Sequence, residues 1–322
     1  MRKFGLLLAF AMWIGVVAAN AQERVEPIAY GDMESWLTRK VHESGIIGGH
    51  EKVLMELGPK KEIVGNEAYT NQGGSPWENS NIMAKVAGIV KTNASVYPEQ
   101  RGDGYCAKLE THIEKVKVLG IVNISVIASG SLFLGKVREP ITSTKSGESS
   151  IDFGMPFTER PKAVQFDYKL KMADAPNRLK MNGFRKKSEV PGRDKAIMVC
   201  FLQKRTQDEE GNVIAKRVGT AAVMYDESCD WVNGARYEIM YGDITKDKRY
   251  VPELMALGVG GYHTRNSEDD TVMIKEDGWA EPGETPTHII LQFTSSFGGA
   301  FIGSPGNTMW VDYVKCSKSN SC

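Results

Sequence analysis

Three acidic residues near the two ends of the chain have the chemistry of a metal site. Asp32 and Glu34 lie in an early turn or strand, and Asp312 is an acid within a closing strand rich in aromatic and β-branched residues. The first and last strands of a β-sandwich can lie side by side. Carboxylate and carbonyl oxygens suit Ca²⁺, which takes about six to eight of them. We therefore expect a Ca²⁺ site here; alternatively, Asp312 hydrogen-bonds a neighbouring loop.

Three aromatic residues have the chemistry of a sugar-stacking surface. Trp77, Tyr262 and Trp279 lie in polar, loop-like segments. Sugars present flat apolar faces that aromatic rings cover well, and a few polar contacts then fix their orientation. These residues are the candidate carbohydrate-binding residues. For Trp77, packing as a core anchor remains the alternative.

Acids on the polar faces of predicted strands are candidates for glycoside hydrolysis. Glu110, Glu114 and Asp167 occupy such positions. A glycosidase needs two facing carboxylates roughly 5 to 9.5 Å apart, and the alternative for each acid is a solvated surface role. The sequence contains no Walker, HExxH or GxSxG motif, and its histidines lack metal-ligand spacing. The Arg101-Gly102-Asp103 tripeptide indicates only a turn. No catalytic residue is assigned.

The chain begins with the pattern of a secretory signal peptide. Arg2 and Lys3 precede an apolar run over residues 4–18, and small residues stand just before Gln22. We expect residues 1–21 to be removed on export to the periplasm, cell surface or medium. A retained membrane anchor is the alternative, although the run is shorter than the ~20 residues that a span needs.

Composition limits the partners. The chain has 322 residues, with 40 basic and 40 acidic side chains, so the net charge gives no support for nucleic acid as a partner. The mature chain is expected to have no membrane span. Five cysteines are compatible with disulfides in an exported protein, but the number is odd and the pairing stays open.

The elements that position these residues are short β-strands. Residues 287–294 and 308–315 alternate as two strands around a loop rich in glycine and serine. Residues 105–118 alternate as one long strand, and the continuous apolar run at 196–202 indicates a central strand buried on both faces. About ten to twelve strands without a helical period predict an all-β, antiparallel jelly-roll β-sandwich with long loops.

The expected organisation has four parts. After the signal peptide, residues 22–81 form a strand and loop region that docks on the sandwich. Residues 82–316 form the jelly roll itself, and residues 317–322 are a polar tail. No shift in composition divides the mature chain further.

Three stretches carry a family resemblance: residues 123–135, 151–169 and 288–314. Residues 154–161 match a G-[IM]-P-F-T-x-[KR]-P run, and residues 293–312 match a longer run of serine, glycine and aromatic positions that ends in Asp. On these runs the chain resembles the "putative carbohydrate metabolism domain" family of exported proteins from gut bacteria. The resemblance implies a jelly roll like that of carbohydrate-binding modules and a part in glycan binding or breakdown. It supplies no catalytic residues.

A second resemblance bears on the metal. Residues 31–36 look like the N-G-D-F-E start of calcium-containing jelly-roll modules, whose last strand often ends V-D-D-V. Here Tyr313 replaces the second acid.

The predicted function is therefore an exported glycan-binding or glycan-processing accessory protein whose partner is a glycan or polysaccharide. A glycoside hydrolase that uses a carboxylate pair is one alternative. A structural or adhesive surface protein without a small ligand is the other.

Overall fold

The computed structural model describes residues 24–69, 74–118, 122–142, 148–183, 187–299 and 301–318. The predicted signal peptide lies outside these residues, as does most of the predicted polar tail. Within the described ranges, no helix is long and apolar enough to cross a membrane.

Strands dominate the described residues. The first strands are β1 (Arg24–Pro27), β2 (Trp36–His42), β3 (Glu51–Leu57), β4 (Glu62–Val64), β5 (Trp77–Asn79), β6 (Ile82–Val86), β7 (Ile89–Asn93), β8 (Val96–Arg101), β9 (Gly104–Glu110) and β10 (His112–Val118). The next are β11 (Val122–Ala128), β12 (Ser131–Val137), β13 (Ile151–Phe153), β14 (Met155–Pro156), β15 (Ala163–Lys171), β16 (Asn177–Lys180), β17 (Asn182–Gly183), β18 (Ser188–Pro191), β19 (Ala196–Gln207) and β20 (Val213–Tyr225). The last are β21 (Cys229–Glu238), β22 (Met240–Tyr241), β23 (His263–Arg265), β24 (Thr271–Met273), β25 (Lys275–Trp279), β26 (His288–Thr294), β27 (Ile302–Gly303) and β28 (Thr308–Lys318). The helical elements are α1 (Pro252–Met255) and two 3₁₀ turns, Gly45–Ile47 and Glu148–Ser150.

Two antiparallel sheets form the sandwich. The first sheet has the order β21-β15-β28-β9-β8, and β1 also pairs with β28. The second has the order β13-β12-β26-β19-β20-β22, with β5 and β14 added antiparallel and β25 added parallel to β20. This architecture confirms the predicted all-β antiparallel sandwich.

The main core lies between the inner faces of these sheets. Phe166 and Val311 from the first sheet and Leu291 and Phe293 from the second are fully buried. The rings of Phe166 and Phe293 meet edge to face, with centroids 4.9 Å apart. Burying such a side chain stabilises the fold by about 1.5–3 kcal/mol. Because side chains alternate along a strand, the neighbours of the core residues must point to the outer faces.

The outer face of the second sheet is also covered. The connection after β22 packs Leu254 and Tyr262 against Phe201 of β19. Arg217, which has no exposed surface, stacks over Phe201 with its Cζ 3.6 Å from the ring centroid. Its Nε donates to Glu276 at 2.6 Å, which ties the connection to the sheet. Residues 196–202 are all buried, so the predicted central strand is confirmed.

The closing stretch forms the two predicted strands, but β26 and β28 belong to different sheets. The loop between them crosses the edge of the sandwich and is organised by one buried carboxylate. Asp194 Oδ2 accepts hydrogen bonds from Ser296 Oγ (2.7 Å), the Ser304 amide (2.7 Å) and Asn307 Nδ2 (3.0 Å). Oδ1 accepts from the Phe297 amide at 3.2 Å.

The predicted long strand over residues 105–118 is two strands, β9 and β10, in different sheets. The break falls at Thr111, whose amide donates to the Asn307 carbonyl at 2.8 Å. Its hydroxyl lies 2.8 Å from Ser295 Oγ. In the sequence, apolar and polar residues alternate without interruption from Ala107 through Thr111 to Ile113, so periodicity alone does not show the break.

A buried ionic cluster attaches the small sheet β3-β2-β4 to the sandwich. Arg39 Nη1 donates to Glu56 Oε1 at 2.9 Å, and Nη2 donates to Glu139 Oε2 at 2.6 Å. Glu139 also accepts from the amides of Met83 and Tyr69. Burial raises the pKa of Glu56 to about 8; Arg39 opposes the shift and the charge of Glu139 adds to it. One guanidinium cannot neutralise two buried carboxylates, so Glu56, which has fewer donors, takes the proton.

Asp194→Ala is expected to lower the free energy of unfolding by about 3 kcal/mol or more, because it leaves several buried donors unpaired. Urea denaturation of the purified mature chain measures this loss. Asp174→Ala, at a side chain that is 100% exposed, is the control and should stay within about 0.5 kcal/mol of the wild type. A loss below about 1 kcal/mol for Asp194→Ala would contradict the proposed role of Asp194 in the loop.

Glu56→Gln is expected to flatten the dependence of stability on pH. Because the folded-state pKa is raised from 4.5 to about 8, the wild type loses stability from this group as pH rises through that interval. In urea denaturation from pH 5 to 9, the free energy of unfolding of the variant should rise relative to that of the wild type as the pH increases. Glu62→Gln, at a half-exposed position, is the control and should keep the wild-type dependence of stability on pH. If stability changes with pH in parallel for Glu56→Gln and the wild type, the raised pKa of Glu56 is refuted.

Candidate functional site

The outer face of the first sheet brings together polar residues from four strands. Arg101 ends β8, Asp167 lies in β15, Asp312 lies in β28, and Trp231 and Asn233 lie in β21. Asp167 stands directly opposite Asp312 in the ladder. Each of these two acids follows a core residue by one position, so the period of the strand turns both carboxylates outwards.

Arg101 holds this cluster together. Its Nη1 donates to Asp312 Oδ2 at 2.7 Å, and its Nη2 donates to Asp167 Oδ2 at 2.8 Å and to Asn233 Oδ1 at 2.6 Å. The Gly234 amide donates to the other Asp167 oxygen at 2.7 Å. A planar guanidinium with a rigid fork of donors is suited to bridging two carboxylates in this way.

A β-bulge shapes the cluster. The pairing of β15 with β28 shifts between Gln165 and Asp167, and Tyr313 adopts a φ of 50°. The Tyr313 amide turns back to donate to Asp312 Oδ1 at 2.8 Å. Consequently Asp312 and Tyr313 do not alternate in the usual way: Tyr313 is 49% exposed, and Val314 returns to the core. Bulges commonly re-aim a side chain beside a functional site.

Two aromatic rings flank the guanidinium. The Cζ of Arg101 lies 3.8 Å from the ring centroid of Trp231 and 5.6 Å from that of Tyr313. Cation–π contacts, two ion pairs and the hydrogen bond to Asn233 therefore fix the arginine from several sides. The result is a rigid, polar surface with an open tyrosine ring at its edge.

The cluster carries excess negative charge. Burial raises the pKa of the Asp312 carboxyl to about 6; the hydrogen bond from Arg101 lowers it, and the charge of Asp167 adds to the rise. The side chain of Asp312 is only 2% exposed. Above pH 6 the two carboxylates and one guanidinium sum to a charge of −1.

The side chains beside this cluster on the same face contact one another. Trp310 is 9% exposed and donates from Nε1 to Glu99 at 2.7 Å. Lys169 Nζ lies 5.7 Å from the Trp310 ring centroid. Cys106 is buried on this face, and burial raises the pKa of its thiol to about 12. Trp310 and Cys106 are therefore covered, whereas Tyr313 is exposed and Trp231 is half-buried.

Three cysteines of the described part of the chain carry free thiols: Cys106, Cys200 and Cys229. Cys322 lies outside the described residues.

The predicted sugar-stacking residues lie elsewhere. Trp77 is 1% exposed and donates its indole N–H to the Ala29 carbonyl at 2.9 Å. Tyr262 is 8% exposed, with its hydroxyl 2.9 Å from Gln292 Oε1. Trp279 is half-buried beside Arg217. Pairing of β5 with β12 carries Trp77 into the core. Because Tyr262 is buried as well, neither ring offers a face to a sugar.

The two ends of the chain meet as expected, since β1 pairs with β28. However, the three acids predicted for Ca²⁺ do not converge. Asp32 is exposed, and Glu34 Oε1 accepts from the Tyr105 amide at 3.1 Å. Asp312 is occupied by Arg101. Among the described residues, no group of three or more His, Cys, Asp and Glu side chains could hold a metal. A guanidinium already fills the place of a cation at Asp312, so these residues do not fit Ca²⁺.

The candidate hydrolytic acids also separate. Glu110 lies 3.4 Å from Lys108, and Glu114 bonds to Lys91 at 2.8 Å. Asp167 alone joins the cluster. Its partner Asp312 has both oxygens engaged and almost no exposed surface, so the pair is held for structure and charge rather than poised beside an incoming glycosidic bond.

Sequence reasoning missed Arg101, Trp231 and Tyr313. Arg101 stands at the hairpin turn between β8 and β9, and its Arg-Gly-Asp tripeptide predicts that turn but no binding role. Tyr313 gave the one usable signal, because it departs from the V-D-D-V pattern at the position where the strand bulges.

Comparison with known proteins identifies the family of this chain. A family model described as "Putative carbohydrate metabolism domain" matches residues 56–248. The chain belongs to this family. The matched range contains Arg101, Asp167 and Trp231, and the family name indicates a carbohydrate-related function. None of the curated proteins compared matches the chain.

Two solved structures were matched to the chain at low sequence identity. One is described as a putative glycoside hydrolase from Bacteroides thetaiotaomicron, with 17% identity, a TM-score of 0.44, and coverage of 85% of this chain and 76% of that chain. The other is described as a putative glycoside hydrolase from Bacteroides vulgatus, with 15% identity, a TM-score of 0.41, and coverage of 91% and 95%.

Arg101→Gln is expected to raise the pKa of Asp312 above its wild-type value of about 6, because the hydrogen bond and charge of Arg101 lower it. Carbon-detected NMR titration of the side-chain carboxyl measures the shift. Arg249→Gln, which removes an arginine paired with Asp247, is the control and should leave Asp312 unchanged. An unmoved or lowered pKa in Arg101→Gln would contradict the pairing.

Proposed function

We propose that this protein binds a glycan at the outer face of the first sheet, on Tyr313 and Trp231. The observation that carries the proposal is the arrangement of the exposed Tyr313 ring and the half-buried Trp231 ring around the clamped Arg101 guanidinium. Membership of a carbohydrate metabolism family supports it.

The chemistry of the cluster suits sugar hydroxyls. Apolar sugar faces stack on aromatic rings, and hydroxyl groups both donate and accept hydrogen bonds. Arg101 supplies donors, and the exposed Asn233 amide supplies both an acceptor and donors. Because the ladder, the bulge and the ionic contacts already fix these groups, little side-chain freedom is lost on binding.

Binding is favoured over hydrolysis. A general acid must reach the glycosidic oxygen, and Asp312 is buried beneath Arg101 with both oxygens engaged. Binding is also favoured over a purely structural role, because Tyr313 is held outwards at 49% exposure by an unusual backbone conformation. Such conformations persist where the surrounding structure holds them, commonly at functional sites.

We also propose that the protein works outside the cytoplasm, as the pattern of residues 1–21 supports. Expression of the full chain followed by cell fractionation tests this. Mature protein that begins at Gln22 in the exported fraction is the expected result, and uncleaved protein in the cytosol would contradict it.

Trp231→Ala and Tyr313→Ala are each expected to weaken glycan binding about tenfold or more, because each removes a stacking surface. A tenfold loss corresponds to about 1.4 kcal/mol. A glycan array with the purified mature protein identifies the ligand, and calorimetry then compares the variants.

Met273→Ala is the matched control, since it removes a 60% exposed side chain on the distant β23-β24 hairpin. It should bind as the wild type does. Thermal melting establishes that each variant is folded. Undiminished binding by both aromatic variants, or no binding by the wild type to any glycan, would overturn the proposal.

A further inference from the structure

We infer that the glycan bound at Tyr313 and Trp231 is neutral, and that the site rejects sugars that carry carboxylates. This inference rests on the proposed function and names its ligand class. It follows from the hydrogen-bond partners of Arg101 and from the net negative charge of the cluster.

The anion-binding edge of Arg101 is already taken. An arginine recognises a free carboxylate through two parallel hydrogen bonds from its terminal nitrogens. Here Nη1 serves Asp312, and the two protons of Nη2 serve Asp167 and Asn233. The described partners leave Nε–H and one proton of Nη1. These can donate to single hydroxyl oxygens but cannot form the Nη1–Nη2 fork that a uronate carboxylate prefers.

The groups around the arginine repel anions. Asp167 and Asp312 outnumber Arg101, so the cluster has a charge of −1 above pH 6. The adjacent lysines add no net positive charge, because Lys108 Nζ lies 3.4 Å from Glu110 and 3.5 Å from Glu99, and Lys169 Nζ lies 3.3 Å from Asp230. A carboxylate placed over the cluster therefore meets uncompensated like charge, and like-charge contact is how binding sites exclude the wrong partner.

Neutral sugars meet no such penalty. Their hydroxyls can donate to the exposed Asn233 and accept from Arg101. Tyr313 and Trp231 provide apolar surface that is indifferent to the charge of the ligand. The rings thus supply affinity, and the carboxylates supply discrimination.

The test compares each neutral oligosaccharide with its own charged derivative. Gluco-, manno- and galacto-configured hexasaccharides, and the same molecules oxidised at C6 to the uronates, are titrated into the mature protein by calorimetry at pH 7.5 and low salt. The neutral member of a pair that binds is expected to bind at least about fivefold more tightly than its oxidised form. Higher salt should lower this ratio of affinities, because screening weakens the repulsion between the uronate and the carboxylates of the cluster.

Two variants change the charge in opposite directions. Asp167→Asn brings the cluster to zero and should reduce the preference for the neutral sugar about fivefold. Asn233→Asp keeps an acceptor for Arg101, brings the cluster to −2, and should increase the preference by a similar factor. Asn233 is exposed, so its variant keeps the test valid if Asp167→Asn fails to fold.

The outcomes separate the two proposals. Equal or tighter binding of the oxidised sugars, or an Asn233→Asp variant with unchanged preference, overturns the inference and leaves glycan binding standing. No binding of either member of any pair overturns both the inference and the proposed function for these sugars.

Discussion

Arg101 shares one guanidinium between Asp312 and Asp167, which face each other across β28 and β15. Two carboxylates at neighbouring positions of a ladder repel, and Asp312 has almost no contact with water. Without the arginine, a buried charge would be left unpaired, at a cost of about 3–5 kcal/mol. The same contact fixes the hairpin between β8 and β9 and holds β21 through Asn233. The bulge, the exposed Tyr313 and the stacked Trp231 all depend on it.

The protein uses buried charge in the same way at its other junctions. Arg39 joins the small β3-β2-β4 sheet to the sandwich through Glu139, and it also pairs with Glu56 inside that sheet. Arg217 pairs with Glu276 between β20 and β25, and the Gly258 amide of the connection after β22 donates to the same carboxylate. Asp194 orders the closing loop with hydrogen bonds alone. Each contact links segments distant in sequence, so each specifies how parts pack rather than which secondary structure they form.

Local patterns were sufficient for several strands of the two main sheets. The apolar run at 196–202 and the alternation in β15, β26 and β28 identify those strands and their buried faces, because side-chain direction has a period of two. The break at Thr111 was missed because both strands that flank it keep the same pattern. The sugar-stacking prediction relied on polar context, which does not reveal that β5 pairs with β12 and draws Trp77 into the core. For the metal, the predicted meeting of the chain ends was confirmed, but a cationic side chain at Asp312 was not foreseen.

The sequence by itself determined the all-β sandwich and the carbohydrate-related family, since periodicity and family runs are local properties of the chain. It also singled out Asp167 and Asp312 as strand acids, although for two separate purposes. Only the tertiary structure decided that these acids face each other and that a turn arginine 66 and 211 residues away binds both. The reason is physical: strand pairing and long-range ion pairs depend on the register between segments, and no short stretch of sequence contains that register.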